Sequence, residues 1–189
     1  LAIIEVGMGG YLDATNIFTN ILAIITSVAL EHTNYLGKSV SEIAKSKSGI
    51  IKDRAPVLVG QLDESAMYAI KETAKECRSP FFIVDDYHND KVEDDITFDY
   101  RPYHGLKLNT KAKYQIKNAC LAIEATKILA GTFNVAEEDI RHGLAIHPLA
   151  ARYERINEHF LVDGAHNPEA IDNLIATMLE TEAKPVHVL

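Results

Sequence analysis

The chain has 189 residues, of which 47% are hydrophobic and 24% are charged, with a formal net charge of -8 at pH 7. This length allows a sizeable core in one domain, or one domain and part of a second. The negative charge and the absence of a basic stripe argue against a nucleic-acid binder, and no uncharged apolar run is long enough to span a bilayer. We therefore expect a soluble globular protein without nucleic-acid or membrane partners.

The two cysteines, Cys77 and Cys120, are far apart in sequence and lack a metal-type spacing. We expect reduced thiols and a cytoplasmic location.

Short apolar runs alternate with helical patterns along the first half of the chain. The runs LAIIEV (1–6), ILAIIT (21–26), PVLVG (56–60) and PFFIVDD (80–86) are typical of strands covered on both faces. The segments 39–52 and 63–78 have helical composition, and Ser39 with Glu42 has the spacing of a capping box. This alternation predicts an α/β fold with a mostly parallel sheet flanked by helices.

The second half of the chain is less regular. Residues 89–104 are polar and acidic, which indicates a loop or an antiparallel edge. Residues 113–131 predict a long amphipathic helix closed by Gly131, and residues 136–145 a shorter one. The run HFLVDGAHNPEA (159–170) then predicts a new strand and a helix from about Pro168, which indicates a domain boundary near residues 148–156. Because LAIIEV has nothing before it and the final VHVL no helix after it, we expect a piece of a longer protein.

Two loops are candidate metal-binding segments. Glu5 ends the first predicted strand and precedes the glycine-rich turn of EVGMGGYLDATN (5–16); glycines let a backbone approach a ligand closely. His32 lies in EHTNYLG (31–37), at the same predicted sheet edge, where open α/β sheets bind ligands. A plain glycine turn with a surface Glu and a structural His are the alternatives.

Two further segments carry candidate residues. Lys45, Lys47 and Lys52 lie in IAKSKSGIIK (43–52), where a solvated basic face is the simplest interpretation and the one we accept for Lys45. Asp163, His166 and Asn167 lie in DGAHNP (163–168), a turn before a helix N-terminus that suits phosphate, although a simple N-capped turn explains it equally well.

Taken in order, these segments resemble the folylpolyglutamate and dihydrofolate synthase branch of the Mur-ligase superfamily over nearly the whole chain. The family pattern runs E-V-G-x-G-G-R-x-D-A-T-N, D-H-T-x-x-L-G, I-A-x-E-K-A-G-I-I-K, a helix with N-A, an arginine-bearing linker and D-G-A-H-N-P. Here these are EVGMGGYLDATN, EHTNYLG, IAKSKSGIIK, YQIKNA, ARYERI and DGAHNP. The chain departs from the pattern at six positions. Tyr11 stands in place of Arg, Glu31 of Asp, Ser46 of Glu and Ser48 of Ala, and Ala150 and Ala151 stand in place of a Pro-Gly before the linker arginine.

The resemblance implies specific site residues. Glu5 and His32 would be ligands of Mg²⁺, and Lys47 a third, carbamylated ligand, all with catalytic roles. The residues near ATP would be Gln115, Asn118, Arg152, Asp163 and His166. The implied reaction is an ATP-dependent addition of L-glutamate to a folate or dihydropteroate carboxylate through an acyl phosphate, by a monomeric enzyme.

The resemblance also implies a domain organisation. Residues 1–148 would be the central ATP- and metal-binding domain, 149–156 the linker, and 157–189 the start of a Rossmann-like glutamate-ligase domain. The P-loop pattern G-x-x-x-x-G-K-[ST] is not among these residues, so we expect the fragment alone to be inactive. Another Mur-superfamily amide ligase and a noncatalytic remnant are the alternatives; a nicotinamide-dependent enzyme would need a fingerprint that the chain lacks.

Overall fold

The computed structural model describes residues 1–146 and 150–182. The chain divides into two compact units, which are described separately. Unit 1 comprises Leu1–Val84 and Glu124–Gly131, and unit 2 comprises Asp85–Ile123 and the described residues from Thr132 onward. None of the described helices is long and apolar enough to cross a membrane.

Unit 1 contains a three-stranded parallel sheet. Its strands are β1 (Ala23–Ile25), β2 (Val57–Val59) and β3 (Phe81–Ile83), in the order β1-β2-β3. Both pairs are parallel. Three of the four predicted strands and their parallel pairing are therefore confirmed.

Two helices connect these strands. Helix α1 (Val40–Lys47) begins with the predicted capping box, in which the Glu42 amide donates to the Ser39 hydroxyl at 3.2 Å. Helix α2 (Glu64–Glu76) is capped by Asp63. Small and branched apolar residues of both helices pack on the strands because they allow a close approach. This core consists of Ala23, Ile25, Ala44, Ile51, Val57, Val59, Ala66, Ile70 and Ala74.

The prediction of a core strand at LAIIEV is wrong for this structure. Residues 1–6 have no strand conformation, and Leu1 and Ile3 are 81% and 91% exposed. A strand forms only where a neighbouring strand accepts its backbone hydrogen bonds. No described strand pairs with residues 1–6, so their apolar character alone does not produce a strand.

Unit 2 contains an antiparallel sheet where the sequence indicates a loop or an edge. Its strands are β4 (His88–Val92), β5 (Ile96–Tyr100) and β6 (Tyr103–Leu108). Alternate residues of β5 are buried, as expected for a strand with one face on a core. The antiparallel alternative is confirmed, and the segment is more regular than its polar composition indicates.

Two helices follow this sheet. Helix α3 (Tyr114–Ile128) begins in unit 2 and ends in unit 1, three residues before Gly131. Helix α4 (Glu137–Ala145) starts with three acidic residues, which suit the positive end of a helix dipole. Both predicted helices are confirmed.

The last described elements are a short hairpin and a helix. Strands β7 (Glu154–Arg155) and β8 (Leu161–Val162) pair antiparallel. Helix α5 (Pro168–Thr181) begins at the predicted proline, with Asn167 as its N-cap. The run VHVL and residues 147–149 lie outside the described residues. The Rossmann-like second domain and the domain ranges remain predictions.

Candidate functional site

The glycine-rich loop of unit 1 packs directly on the end of α1. The Tyr11 amide donates to the Ser46 carbonyl at 3.2 Å. A methyl group at Gly10 would lie 2.5 Å from the carbonyl oxygen of Lys47, and one at Gly49 would lie 2.5 Å from Cα of Tyr11. Real side chains do not tolerate such distances, so these glycines are required by the close approach of two backbones.

Asp13 organises the same loop from within. Its carboxylate accepts hydrogen bonds from the amides of Gly7 and Met8, and from both the hydroxyl and the amide of Thr15. These bonds, first among them the Thr15 hydroxyl, lower the pKa of Asp13 to about 2. Asp13 was not predicted as a site residue; its position before the turn Ala14–Ile17, as an N-cap, is the signal that could have found it.

Asn16 and Lys52 join the DATN turn to the segment after α1. The Lys52 ammonium donates to the side-chain oxygen of Asn16 at 2.7 Å and to its carbonyl at 3.1 Å. The Asn16 amide in turn donates to the Gly49 carbonyl at 3.1 Å. Lys52 therefore serves to hold the loop rather than to extend a solvated basic face.

The loop with His32 lies beside the end of α1. The Lys47 ammonium and a carboxylate oxygen of Glu31 are 2.7 Å apart, and each side chain is 22% exposed. His32 has a φ of 48°, and its carbonyl accepts hydrogen bonds from the amides of Tyr35 and Leu36. The structure thus places Lys47 next to the residue that precedes His32.

The glycine-rich loop meets this second loop as well. A methyl group at Gly9 would lie 2.8 Å from Cδ2 of Leu36 and 2.9 Å from the Ser46 hydroxyl. The loop that follows Glu5 therefore contacts both the loop of His32 and the end of α1 that carries Lys47. That the three side chains form one site remains a prediction.

The donor chemistry of these segments suits a hard divalent cation. Glu5 and His32 are exposed and offer a carboxylate and an imidazole. Lys47 is a third donor only as a carbamate, since an ammonium repels a cation. Across residues 1–146 and 150–182, no three His, Cys, Asp or Glu side chains converge as a metal site. The predicted set has two such side chains and a lysine, and it remains a prediction.

In unit 2, Asp163 is the centre of a hydrogen-bond cluster. One of its carboxylate oxygens accepts from the Tyr114 hydroxyl at 2.5 Å and from the Tyr153 amide at 2.7 Å. The other accepts from the Ala165 amide at 2.8 Å. Burial and this carboxylate both raise the pKa of Tyr114. The phenol therefore stays protonated and donates a hydrogen bond to Asp163.

Arg152 is held against the same loop. The Gly164 amide donates to the Ala151 carbonyl at 2.8 Å, and the guanidinium of Arg152 lies against Gly164, where a larger residue would displace it. Ala151 and Tyr153, on either side of Arg152, have φ values of 55° and 51°. The Arg152 side chain is itself exposed. Two left-handed residues therefore set the direction of the chain around this arginine.

Comparisons with known proteins extend along the whole chain. No family model matches it. A folylpolyglutamate synthase of Lacticaseibacillus casei is 33% identical over 201 aligned residues, which cover 100% of this chain and 47% of the relative. A dihydrofolate synthase/folylpolyglutamate synthase of Bacillus subtilis is 30% identical, over 93% of this chain and 44% of the relative. The chain spans about half the length of these relatives.

The chain is a homologue of the folylpolyglutamate and dihydrofolate synthases. A solved folylpolyglutamate synthase complex with AMPPCP and folate superimposes with a TM-score of 0.90 at 33% identity, over 96% of this chain and 47% of that one. A Mycobacterium tuberculosis folylpolyglutamate synthase complexed with ADP and AMPPCP gives a TM-score of 0.82 at 26% identity, over 93% and 42%. The resemblance found in the motifs and the α/β fold class are both confirmed.

The residues singled out by the synthase motifs fall into two groups, one in each unit. Unit 1 holds Glu5, His32 and Lys47. In unit 2, the side-chain amide of Asn118 donates to Gln115 at 3.0 Å, and ring Nδ1 of His166 lies 2.8 Å from the Gly164 carbonyl. The unit 2 group comprises Gln115, Asn118, Arg152, Asp163 and His166. Each motif residue is thus located, and their roles remain predictions.

Proposed function

We propose that the complete gene product is an ATP-dependent ligase that adds L-glutamate to the carboxylate of a folate or of dihydropteroate. The observation that supports this most is the similarity, along nearly the whole of this chain, to about half of the length of folylpolyglutamate and dihydrofolate synthases. One similar solved structure is a complex with AMPPCP and folate. This supports a nucleotide and a folate as the ligands of the present protein.

The proposed reaction has two steps. The substrate carboxylate attacks the γ-phosphorus of ATP, giving an acyl phosphate and ADP. The uncharged amino group of glutamate then attacks the acyl carbon, inorganic phosphate leaves with the electrons of the C–O bond, and the nitrogen gives up one proton, which the departing phosphate can take, as the amide bond forms. Catalysis of such transfers rests on positioning and on neutralising phosphate charge.

The unit 2 residues would serve the nucleotide. Arg152 is exposed and offers a planar cation suited to phosphate oxygens. His166, Gln115 and Asn118 are polar groups of the same unit and would complete the ATP site. Asp163, the fifth predicted nucleotide residue, has protein donors on both carboxylate oxygens, so its main contribution would be to hold the loop in shape.

The unit 1 residues would serve the metal. Glu5 and His32 would hold Mg²⁺, with Lys47 as a third ligand once CO₂ has converted its amine to a carbamate. The ion would supply positive charge against the phosphates. In its ammonium form Lys47 pairs with the Glu31 carboxylate at 2.7 Å, which keeps the side chain at the loop of His32. Carbamylation would require the lysine to lose a proton and this ion pair to open.

These 189 residues by themselves would not turn over ATP, because they include no G-x-x-x-x-G-K-[ST] loop. The complete product would act as a cytoplasmic monomer on small-molecule substrates, without nucleic-acid or membrane partners. Closure about residues 149–156 would protect the acyl phosphate from water.

The test is ADP release by the purified complete gene product with ATP, Mg²⁺, L-glutamate and either folate or dihydropteroate, omitting one component at a time. We expect release to require all of them. Release that needs another carboxylate or amine would favour a different amide ligase, and no release with any acceptor would favour a noncatalytic remnant.

Matched lysine variants sharpen this test. Lys47→Met should lower kcat by about 100-fold or more, because it removes a proposed metal ligand. Lys45→Met, on the same helix and exposed, should leave kcat unchanged. Equal activity of the two variants would remove Lys47 from the mechanism.

A further inference from the structure

Tyr114 has a position that none of the motif assignments uses. It is the first residue of α3, directly before Gln115, and its side chain is partly buried. Its hydroxyl donates to a carboxylate oxygen of Asp163, 49 residues further along the chain, at 2.5 Å. A hydrogen bond from a neutral donor to a carboxylate is among the stronger ones in proteins. The start of α3 is therefore fastened to the DGAHNP loop.

The same carboxylate oxygen controls the backbone next to Arg152. It also accepts from the Tyr153 amide at 2.7 Å, and Tyr153 is held at a φ of 51°. One residue before Arg152, the Ala151 carbonyl accepts from the Gly164 amide. Asp163 and Gly164 thus fix the backbone on both sides of Arg152.

We propose that Tyr114 is a positioning residue for the nucleotide site and acts through Asp163 on Arg152. The phenol holds the Asp163 side chain in one rotamer, in which its carboxylate accepts the hydrogen bond of the Tyr153 amide. The resulting turn places the Arg152 guanidinium against Gly164. This rests on the proposed function, in which Arg152 contacts the phosphates of ATP. Without the phenol, Arg152 samples other positions and binds phosphate less well.

A double-mutant cycle tests the proposal directly. The affinity for AMPPCP is measured by calorimetry on the complete gene product as wild type, Tyr114→Phe, Arg152→Ala and the double variant. Tyr114→Phe should weaken binding about three- to tenfold, as expected for part of one charged hydrogen bond. In the Arg152→Ala background the same change should weaken binding less than about twofold, because its effect passes through Arg152.

A matched variant separates positioning from loss of stability. Tyr100 is buried in the same unit, and its hydroxyl accepts a hydrogen bond from the Asp85 amide. Tyr100→Phe should lower the thermal midpoint at least as much as Tyr114→Phe does, and leave AMPPCP affinity unchanged.

Each outcome decides the proposal. Additive effects of Tyr114→Phe and Arg152→Ala on AMPPCP affinity would overturn the positioning role of Tyr114, and so would an equal loss of affinity in Tyr100→Phe. In either case, glutamate-dependent ADP release by the wild type would leave the proposed function standing. Absence of AMPPCP binding by the wild type, together with absence of glutamate-dependent ADP release, would overturn both.

Discussion

The two units hold their candidate residues in different ways. In unit 1, the loop after Glu5 is packed onto the end of α1 near Lys47 by close backbone contacts at Gly10 and Gly49. In unit 2, residues around Arg152 are held by side-chain hydrogen bonds that converge on Asp163. The difference means that unit 1 should be sensitive to added volume, whereas unit 2 should be sensitive to removed polar groups.

The largest expected effect is from added volume in unit 1. Gly49→Ala would place a methyl group within 2.6 Å of three Tyr11 atoms, of which two are backbone atoms that cannot rotate away. We expect the free energy of unfolding of the complete gene product to fall by about 3 kcal/mol in urea titrations. The control is Gly143→Ala within α4, where nothing lies within 4 Å; it should stabilise by about 0.5–1 kcal/mol. Similar losses in both would refute the steric explanation.

Removing the carboxylate at the centre of unit 2 should have the next largest effect. Asp163→Ala leaves three donors without their acceptor, and we expect a loss of about 2 kcal/mol in the same urea titrations. Asp172→Ala, at an exposed position of α5, should change stability by less than about 0.5 kcal/mol. If Asp163→Ala is as well tolerated as Asp172→Ala, unit 2 does not depend on this cluster.

A smaller, opposite effect is expected at Ala151. Its φ of 55° lies in the left-handed region, which costs a residue with a Cβ more than it costs glycine. The related synthase pattern has Pro-Gly before its linker arginine, where this chain has Ala150 and Ala151. Ala151→Gly should therefore stabilise by about 0.5–1 kcal/mol in thermal unfolding. An unchanged or lower melting temperature in Ala151→Gly would show that the left-handed backbone at this residue carries no such cost.

The smallest expected effect is the pH dependence that Asp13 gives to unit 1. Its pKa is lowered from the usual 3.8 to about 2, chiefly by the Thr15 hydroxyl. A depressed folded-state pKa stabilises above pH 3.8, and that contribution is lost as the pH falls toward about 2. The stability difference between wild type and Asp13→Ala should therefore shrink between pH 5 and pH 3. A difference independent of pH would show that the carboxylate charge does not hold the loop.

The sequence predicted features that are encoded locally. The capping box of Ser39 and Glu42 and the proline start of α5 need only neighbouring residues, and both are present. The prediction of a strand at residues 1–6 was wrong because a strand also needs a neighbouring strand to pair with, and the residues of the segment itself do not specify one. The β4–β6 sheet was predicted only as a loop or an antiparallel edge, since its apolar residues are few and alternate with charges.

The same distinction holds for the candidate site. Motif spacing located Lys47 and Arg152, but it gave no role to Tyr114, whose partner Asp163 is 49 residues away. Motif spacing also did not predict the ion pair of Lys47 with Glu31, because the sequence marked Glu31 only as a departure from the family pattern. Contacts between distant segments require the fold.

The most direct test of the central claim is mass spectrometry of the folate or dihydropteroate substrate after incubation of the complete gene product with ATP, Mg²⁺ and L-glutamate. The account predicts a product heavier by one glutamyl residue, formed by the wild type and formed about 100-fold more slowly or not at all by Lys47→Met. An unmodified substrate with the wild-type protein, under conditions in which it binds AMPPCP, would contradict the assignment as a folate glutamate ligase.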